Sequence, residues 1–346
     1  MTPRVTSPQP SVSATEKLIA VLEATHAKLM THAQPQHRFR FVSAAQSLPY
    51  ATAYALWIKN GEVGPQPVAS TAEMRATVYD QAESASELRA FPKVAAIAGV
   101  ELAEATLAGL RAGHIIITYT ALRGLIERTA HAFATAAKLG KIKNAPVDGP
   151  LGPVLELSGT IHKALYATQR EWTKLVNSDF RKTSVKDVQY VKKPNVANAL
   201  PDNILNAIDK LDNAVAGTRL AYEILCEYLH PNVGDLWGAT LEAESLFDAH
   251  GTRHLTRRIG LGPKSYKGLA DLQVIRDKLF DVCGDIVVQM PMALDEIVSI
   301  AEQATRLTRR FAHGVVKNYR QQFLGSDPCP CLSGKTVAAC TGLRDR

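Results

Sequence analysis

The sequence predicts a mainly α-helical, multi-helix body with one small inserted β hairpin and a short cysteine-bearing tail. Three observations carry that prediction. Apolar residues make up 46% of the 346 positions and aromatic residues only 6%, the balance of an Ala/Leu-rich helical protein rather than a collagen-like, disordered or all-β chain. Apolar positions recur at helical spacing along most of the length. Three of the five cysteines, Cys329, Cys331 and Cys340, crowd into the last residues, so a disulfide framework is not the organising principle.

Residues 1–14 read as a polar, disordered leader, and 15–324 as the helical domain, with a sub-boundary near 61–70. Glu16 to His32 carries Leu18, Ile19, Leu22 and Leu29 at helical spacing. His37 to Asn60 is a weaker apolar stretch ended by Gly61, and the following GEVGPQPVAS is a loop. Ser70 occupies an N-cap position, and Thr71 to Ala90 reads as a charged helix that ends before Pro92, because the residue before proline avoids the helical region. Val94 to Leu139 is dense in small and aliphatic residues, with Gly109 and Gly113 as the places to break. Its second half is apolar nearly all round and predicts a buried helix.

Val154 to Asp179 predicts another helix, followed by a basic, proline-containing linker over 180–202 with no helical period. Asn203 to Leu229 returns to helical spacing and stops at His230-Pro231. LWGATLEAES and GTRHLTRRIG predict two strands around Asp248-Ala249-His250-Gly251, a hairpin within 235–260. Leu269 to Met290 and Pro291 to Phe323 are the closing helices, the second ending in the basic run TRLTRRFAHGVVKNYRQQF.

The tail, 325–346, carries the most specific pattern. In SDPCPCLSGKTVAACTG the prolines hold the chain extended, and Ser333-Gly334 makes a turn that brings Cys340 back toward Cys329 and Cys331. Converging soft thiolates suit tetrahedral Zn²⁺, and a metal would order a tail too short for its own core. The spacing C-x-C-x8-C, with the DPCPC opening and SGK turn, resembles the SEC-C motif, a small zinc knuckle. That resemblance implies zinc on Cys329, Cys331 and Cys340. Thr341 stands where the family carries its fourth ligand, Cys or His. Water, Asp327, Asp345 or a histidine of the body would complete the shell, or the knuckle is metal-free.

Two groups in the body bear chemistry. Arg123 and Glu127, four apart on the most apolar helix, share a face and predict an ion pair. It is either structural, fixing helix register, or part of a polar site. Tyr222, Cys226 and His230 follow one another at helical spacing in YEILCEYLHPN, and can face that pair. His230 is then either a helix C-terminal cap or a general acid/base working with Arg123 and Glu127. The ALRGLIE helix paired with the later Y-x5-YLHPN helix resembles bacterial all-helical HEPN-like proteins of unassigned function, over Val94 to Gly238. The resemblance implies a helical fold, a homodimer and, in its nuclease members, an Arg-x4–6-His signature acting on the RNA phosphodiester. No such signature surrounds His230. Arg306 and His313 have the longest permitted spacing, and are the alternative catalytic pair or simply part of a solvated basic face.

Lys+Arg 40 against Asp+Glu 33 gives +7, with a pI near 9.1, and favours a polyanion. Aromatic residues that would stack on bases are sparse in the basic segments, with Tyr190, Phe311 and Tyr319 the only candidates. No apolar run reaches the roughly 20 residues of a membrane span, and the opening lacks a signal-peptide core. Walker A, GxGxxG, GxSxG and HExxH patterns are absent. The expectation is therefore a cytoplasmic binding or regulatory protein associated with RNA or the ribosome, carrying zinc in its tail. A metal-independent HEPN-like ribonuclease of stress or phage defence, and a protein-protein adaptor acting through the tail, are the alternatives.

Overall fold

The structure is a computed structural model describing residues 13–34, 71–143, 203–229, 233–260 and 269–340, with scattered positions between 160 and 187. It is mainly helical, with one two-stranded antiparallel sheet. The elements are α1 (Ala14–Ala33), α2 (Thr71–Ala112), α3 (Ile115–Lys143), α4 (Ile204–Asp212), α5 (Thr218–Glu227), α6 (Val233–Ala239), β1 (Thr240–Phe247), β2 (Arg253–Ile259), α7 (Ala270–Val287) and α8 (Gln289–Asn318). A 3₁₀ turn, Arg320–Gln322, follows α8. No described helix is long and apolar enough to cross a membrane.

Two compact units divide the described residues. One draws on Met1–Gln34, Ala96–Phe133 and Ile204–Met292, the other on Pro35–Ala95, Ala134–Asn203 and Ala293–Arg346. In the first, α1 starts at a capping box: Glu16 N–H donates to Ser13 Oγ at 3.2 Å, and Ser13 N–H to Glu16 Oε2 at 2.9 Å. Orphan donors at the helix start are thereby satisfied. The α1 stripe of Leu18, Leu22 and Leu29 is buried, and α1 packs on α7. The apolar surface of α3 is buried at Leu122, Leu125 and Ile126. Tyr119 meets Tyr228 and Phe280 edge-on, with ring centroids 4.6 and 6.0 Å apart.

Proline does not end the helix where the sequence predicts. α2 runs through Pro92, which is itself buried. The neighbouring Leu88, Ala90, Phe91 and Ala96 are buried too, so packing outweighs the backbone hydrogen bond that proline forfeits. The break comes at Gly113, whose φ of 71° a side chain would resist. There His114 N–H donates to Gly109 carbonyl at 2.8 Å. A second break divides the stretch predicted as one helix from Asn203, since Gly217 at φ 91° precedes α5. Arg219 bridges it, donating from its backbone to Asp212 and from its guanidinium to Asp209 and Glu223.

The hairpin is present, but LWGA is helical, within α6, and β1 begins at Thr240. Asp248 shapes the turn by accepting from the backbone N–H of His250 and of Thr252, both at 2.9 Å. Its carboxylate is held below its ordinary range, first by His254 at 3.0 Å and then by those amides. His250, His254 and Asp248 thus belong to the turn's own architecture. The closing helices are α7 and α8, as predicted. The helix expected over Val154 to Asp179, the 180–202 linker and the residues around 61–70 lie wholly or largely outside the described residues.

Candidate metal centre

The cysteine cluster belongs to the second unit. Its scaffold is the C-terminal part of α8, whose Ala312, Val315 and Val316 are buried with Val78, Phe323, Val337 and the three cysteines in one satellite core. The tail folds back across this surface. Pro328 bridges Thr336, Cys329 N–H donates to Lys335 carbonyl at 2.8 Å, and Val337 N–H to Asp327 carbonyl at 2.7 Å. Tyr79 Oη donates to Pro328 carbonyl at 2.8 Å and anchors the tail to α2. The turn between the second and third cysteines needs two positive φ values, 61° at Leu332 and 73° at Gly334. A leucine in the left-handed region is strained by about 1–3 kcal/mol and persists only where its surroundings fix it.

This fold brings the thiols together as the spacing predicts. Cys329 Sγ and Cys331 Sγ are 3.1 Å apart, and Cys331 Sγ and Cys340 Sγ 3.4 Å. All three are free and buried. Donation from the Cys329 thiol holds Cys331 well below the ordinary thiol range, with Ser333, Cys340 and His313 assisting and burial opposing. Cys329 is pushed up correspondingly, because its proton is the one Cys331 shares. Ser333 Oγ lies 3.1 Å from Cys331 Sγ.

A histidine from outside the tail also reaches the cluster. His313 Nε2 on α8 lies 3.7 Å from Cys340 Sγ, and the donor atoms of His313, Cys331 and Cys340 all fall within 4.8 Å of one another. Among the described residues this is the group of His, Cys, Asp and Glu donors compact enough for one metal ion. By sequence, His313 belongs to a basic helix and pairs with Arg306 two turns away. Its relation to Cys340, 27 residues later, depends on the tail folding back and has no signature in spacing. Asp327 Oδ2, another candidate, accepts from Leu324 N–H at 2.9 Å. Thr341 and Asp345 lie outside the described residues.

Arg123, Glu127 and Tyr222 converge in the first unit. Arg123 Nη2 is 2.9 Å from Glu127 Oε1 and donates to Tyr222 Oη at 3.1 Å, while Tyr222 Oη donates to Glu127 Oε1 at 2.8 Å. The guanidinium also lies over the tyrosine ring, 5.3 Å from its centroid. The charged side chains are about one-third exposed, 34% and 30%, and so less buried than their apolar helix suggests. Burial pushes the Tyr222 phenol up to about 12, with Glu127 adding to the rise and Arg123 opposing it. Burial works against the Arg123 charge, but Tyr222 and Glu127 outweigh it and raise its pKa. Such a closed triangle fixes α5 against α3 and does not by itself define a catalytic centre. His230 lies outside the described residues. Arg306 and His313 sit two turns apart on α8, in the other unit.

Compared with protein-family models, with curated proteins and with solved structures, the chain matches none. The site rests on its geometry and on the knuckle-like spacing of its cysteines.

Proposed function

We propose that this protein is an RNA-associated binding protein whose SEC-C-like tail is ordered by a structural zinc ion on Cys329, Cys331 and Cys340. The observation that carries the RNA part is a basic face. Arg306, Arg309, Arg310 and Lys317 are exposed at positions i, i+3, i+4 and i+11 of α8, one side of the helix. Thr305, Thr308, Ala312, Val315 and Val316 occupy the buried side. Arg320, just beyond the helix, is also exposed, and Glu302 bounds the stripe one turn before Arg306. A line of unsheltered cations tracks a phosphate backbone. The same unit carries the knuckle, so both would meet one partner. Three thiols at knuckle spacing support the metal.

Titration of a fluorescent single-stranded RNA at several salt concentrations tests this reading. The affinity falls steeply with salt, with a log–log slope of roughly 0.7 per phosphate contact. Replacing Arg306, Arg309 and Arg310 together by alanine flattens the slope by about two. Binding insensitive to salt overturns it, and no RNA binding at all moves the weight to the protein adaptor. An HEPN-like ribonuclease receives less support, because His313, the histidine of its alternative Arg306/His313 pair, lies against the cysteines, and no Arg-x4–6-His signature surrounds His230. RNA cleavage that persists in EDTA and disappears in His313→Ala, or in His230→Ala, would establish it.

A further inference from the structure

The knuckle sequence leaves its fourth metal position to Thr341, a neutral hydroxyl that binds zinc poorly. We infer that His313 on α8 supplies the fourth ligand, so that the metal ties the tail to the helix and docking of the tail depends on metal. This inference rests on the metal part of the reading above and is independent of the RNA part.

The distances support it. In a tetrahedral site with Zn–S near 2.3 Å and Zn–N near 2.0–2.1 Å, neighbouring ligand atoms stand about 3.5–3.8 Å apart. His313 Nε2 and Cys340 Sγ are already 3.7 Å apart. The two sulfur pairs, at 3.4 and 3.1 Å, reach that spacing by opening about 0.4 and 0.7 Å, and Cys329 Sγ, which lies outside the group of donors within 4.8 Å of one another, closes on the other ligands as the metal enters. His313 is half-buried, although it falls at i+7 from Arg306 on the otherwise exposed stripe. The tail covers it.

The chemistry agrees with the geometry. Cys₃His is a closed structural set that selects soft, tetrahedral ions and offers nothing to Mg²⁺ or Ca²⁺. The nearby Ser333 hydroxyl is a weak donor, and Asp327 is turned to the Leu324 amide. The tail's own contribution to the satellite core is little more than Val337 and the cysteines. A ligand on α8 therefore does what apolar burial is too small to do, joining a short segment to a rigid element across a strained turn at Leu332.

The test uses the full-length protein, stripped and reloaded with Zn²⁺, with metal content measured by mass spectrometry, affinity by competition with a chromophoric chelator, and ligand type by X-ray absorption. Wild type holds one equivalent in an S₃N shell. His313→Ala lowers the affinity by at least tenfold to a hundredfold, the range seen even for outer-shell partners of metal ligands. His313→Cys retains tight binding with an S₄ shell, and His313→Ala with Thr341→Cys recovers it by restoring the donor where the knuckle pattern expects it. Trypsin cleavage after the exposed Lys335 accelerates in His313→Ala as it does in the stripped protein, and circular dichroism establishes that the helices persist. Unchanged affinity and an S₃N or S₃O shell in His313→Ala would overturn the inference while leaving the knuckle intact. A wild type that takes up no metal, or a Cys331→Ala variant that binds as tightly as wild type, would remove the metal reading and the inference together.

Discussion

Tyr222 Oη donates to Glu127 Oε1 at 2.8 Å while accepting from Arg123 Nη2 at 3.1 Å, so one hydroxyl completes a charged pair on the neighbouring helix. Removing it in Tyr222→Phe leaves Arg123 and Glu127 to each other and to water. Both are about one-third exposed, which places the expected loss near the low end for hydrogen bonds to charged groups, about 1 kcal/mol. Chemical denaturation measures it. A loss above about 3 kcal/mol would mean that the triangle is far less solvated than its exposure indicates.

The same phenol predicts an alkaline limit. Its folded pKa is about 12, against about 10 in an unfolded chain, so the folded state holds the proton more tightly. That contribution is complete below about pH 10 and is lost as pH rises toward 12. Wild-type stability therefore declines over this window more steeply than that of Tyr222→Phe. Equal slopes for the two proteins, measured by denaturation at stepped pH, would contradict the assignment.

Two glycines predict opposite outcomes. A Cβ at Gly109 would stand 2.5 Å from Thr118 Oγ1 and 3.0 Å from Thr118 N, where the backbone of a buried residue has no room to yield. Gly109→Ala is expected to destabilise by about 1–3 kcal/mol. A Cβ at Gly284, inside α7, meets nothing within 4 Å. Gly284→Ala is expected to stabilise by about 0.5–1 kcal/mol through helix propensity. Thermal melts of the two variants on either side of wild type check both.

Thiol reactivity sorts the cysteines. Cys283 is fully buried, and burial pushes its thiol up, so it stays silent toward Ellman's reagent in the native protein. Cys226 is half-buried and reacts slowly. Cys329, Cys331 and Cys340 are expected to be protected when zinc is present and to react together once a chelator is added. Rapid labelling of the three in zinc-loaded protein would contradict metal binding there.

Several features follow from residues close together in the chain. The Ser13/Glu16 capping box and the Leu18, Leu22, Leu29 stripe define α1, and Asp248 with Gly251 defines the hairpin turn. The ion pair of Arg123 and Glu127 follows from helical spacing, and the Cys329, Cys331 and Cys340 cluster from knuckle spacing. Each depends on backbone geometry over a few residues, or on a short turn between close partners. Tertiary structure decided the rest. Pro92 lies within α2 because it and its neighbours Leu88, Ala90 and Phe91 are buried, an effect that local propensity does not contain. Tyr222 meets Glu127, 95 residues away, and His313 meets Cys340, only after helices pack and the tail turns back. Contacts between distant segments are fixed by the burial of whole faces, so a local sequence pattern limits which residues can take part, and the packed fold selects the partners.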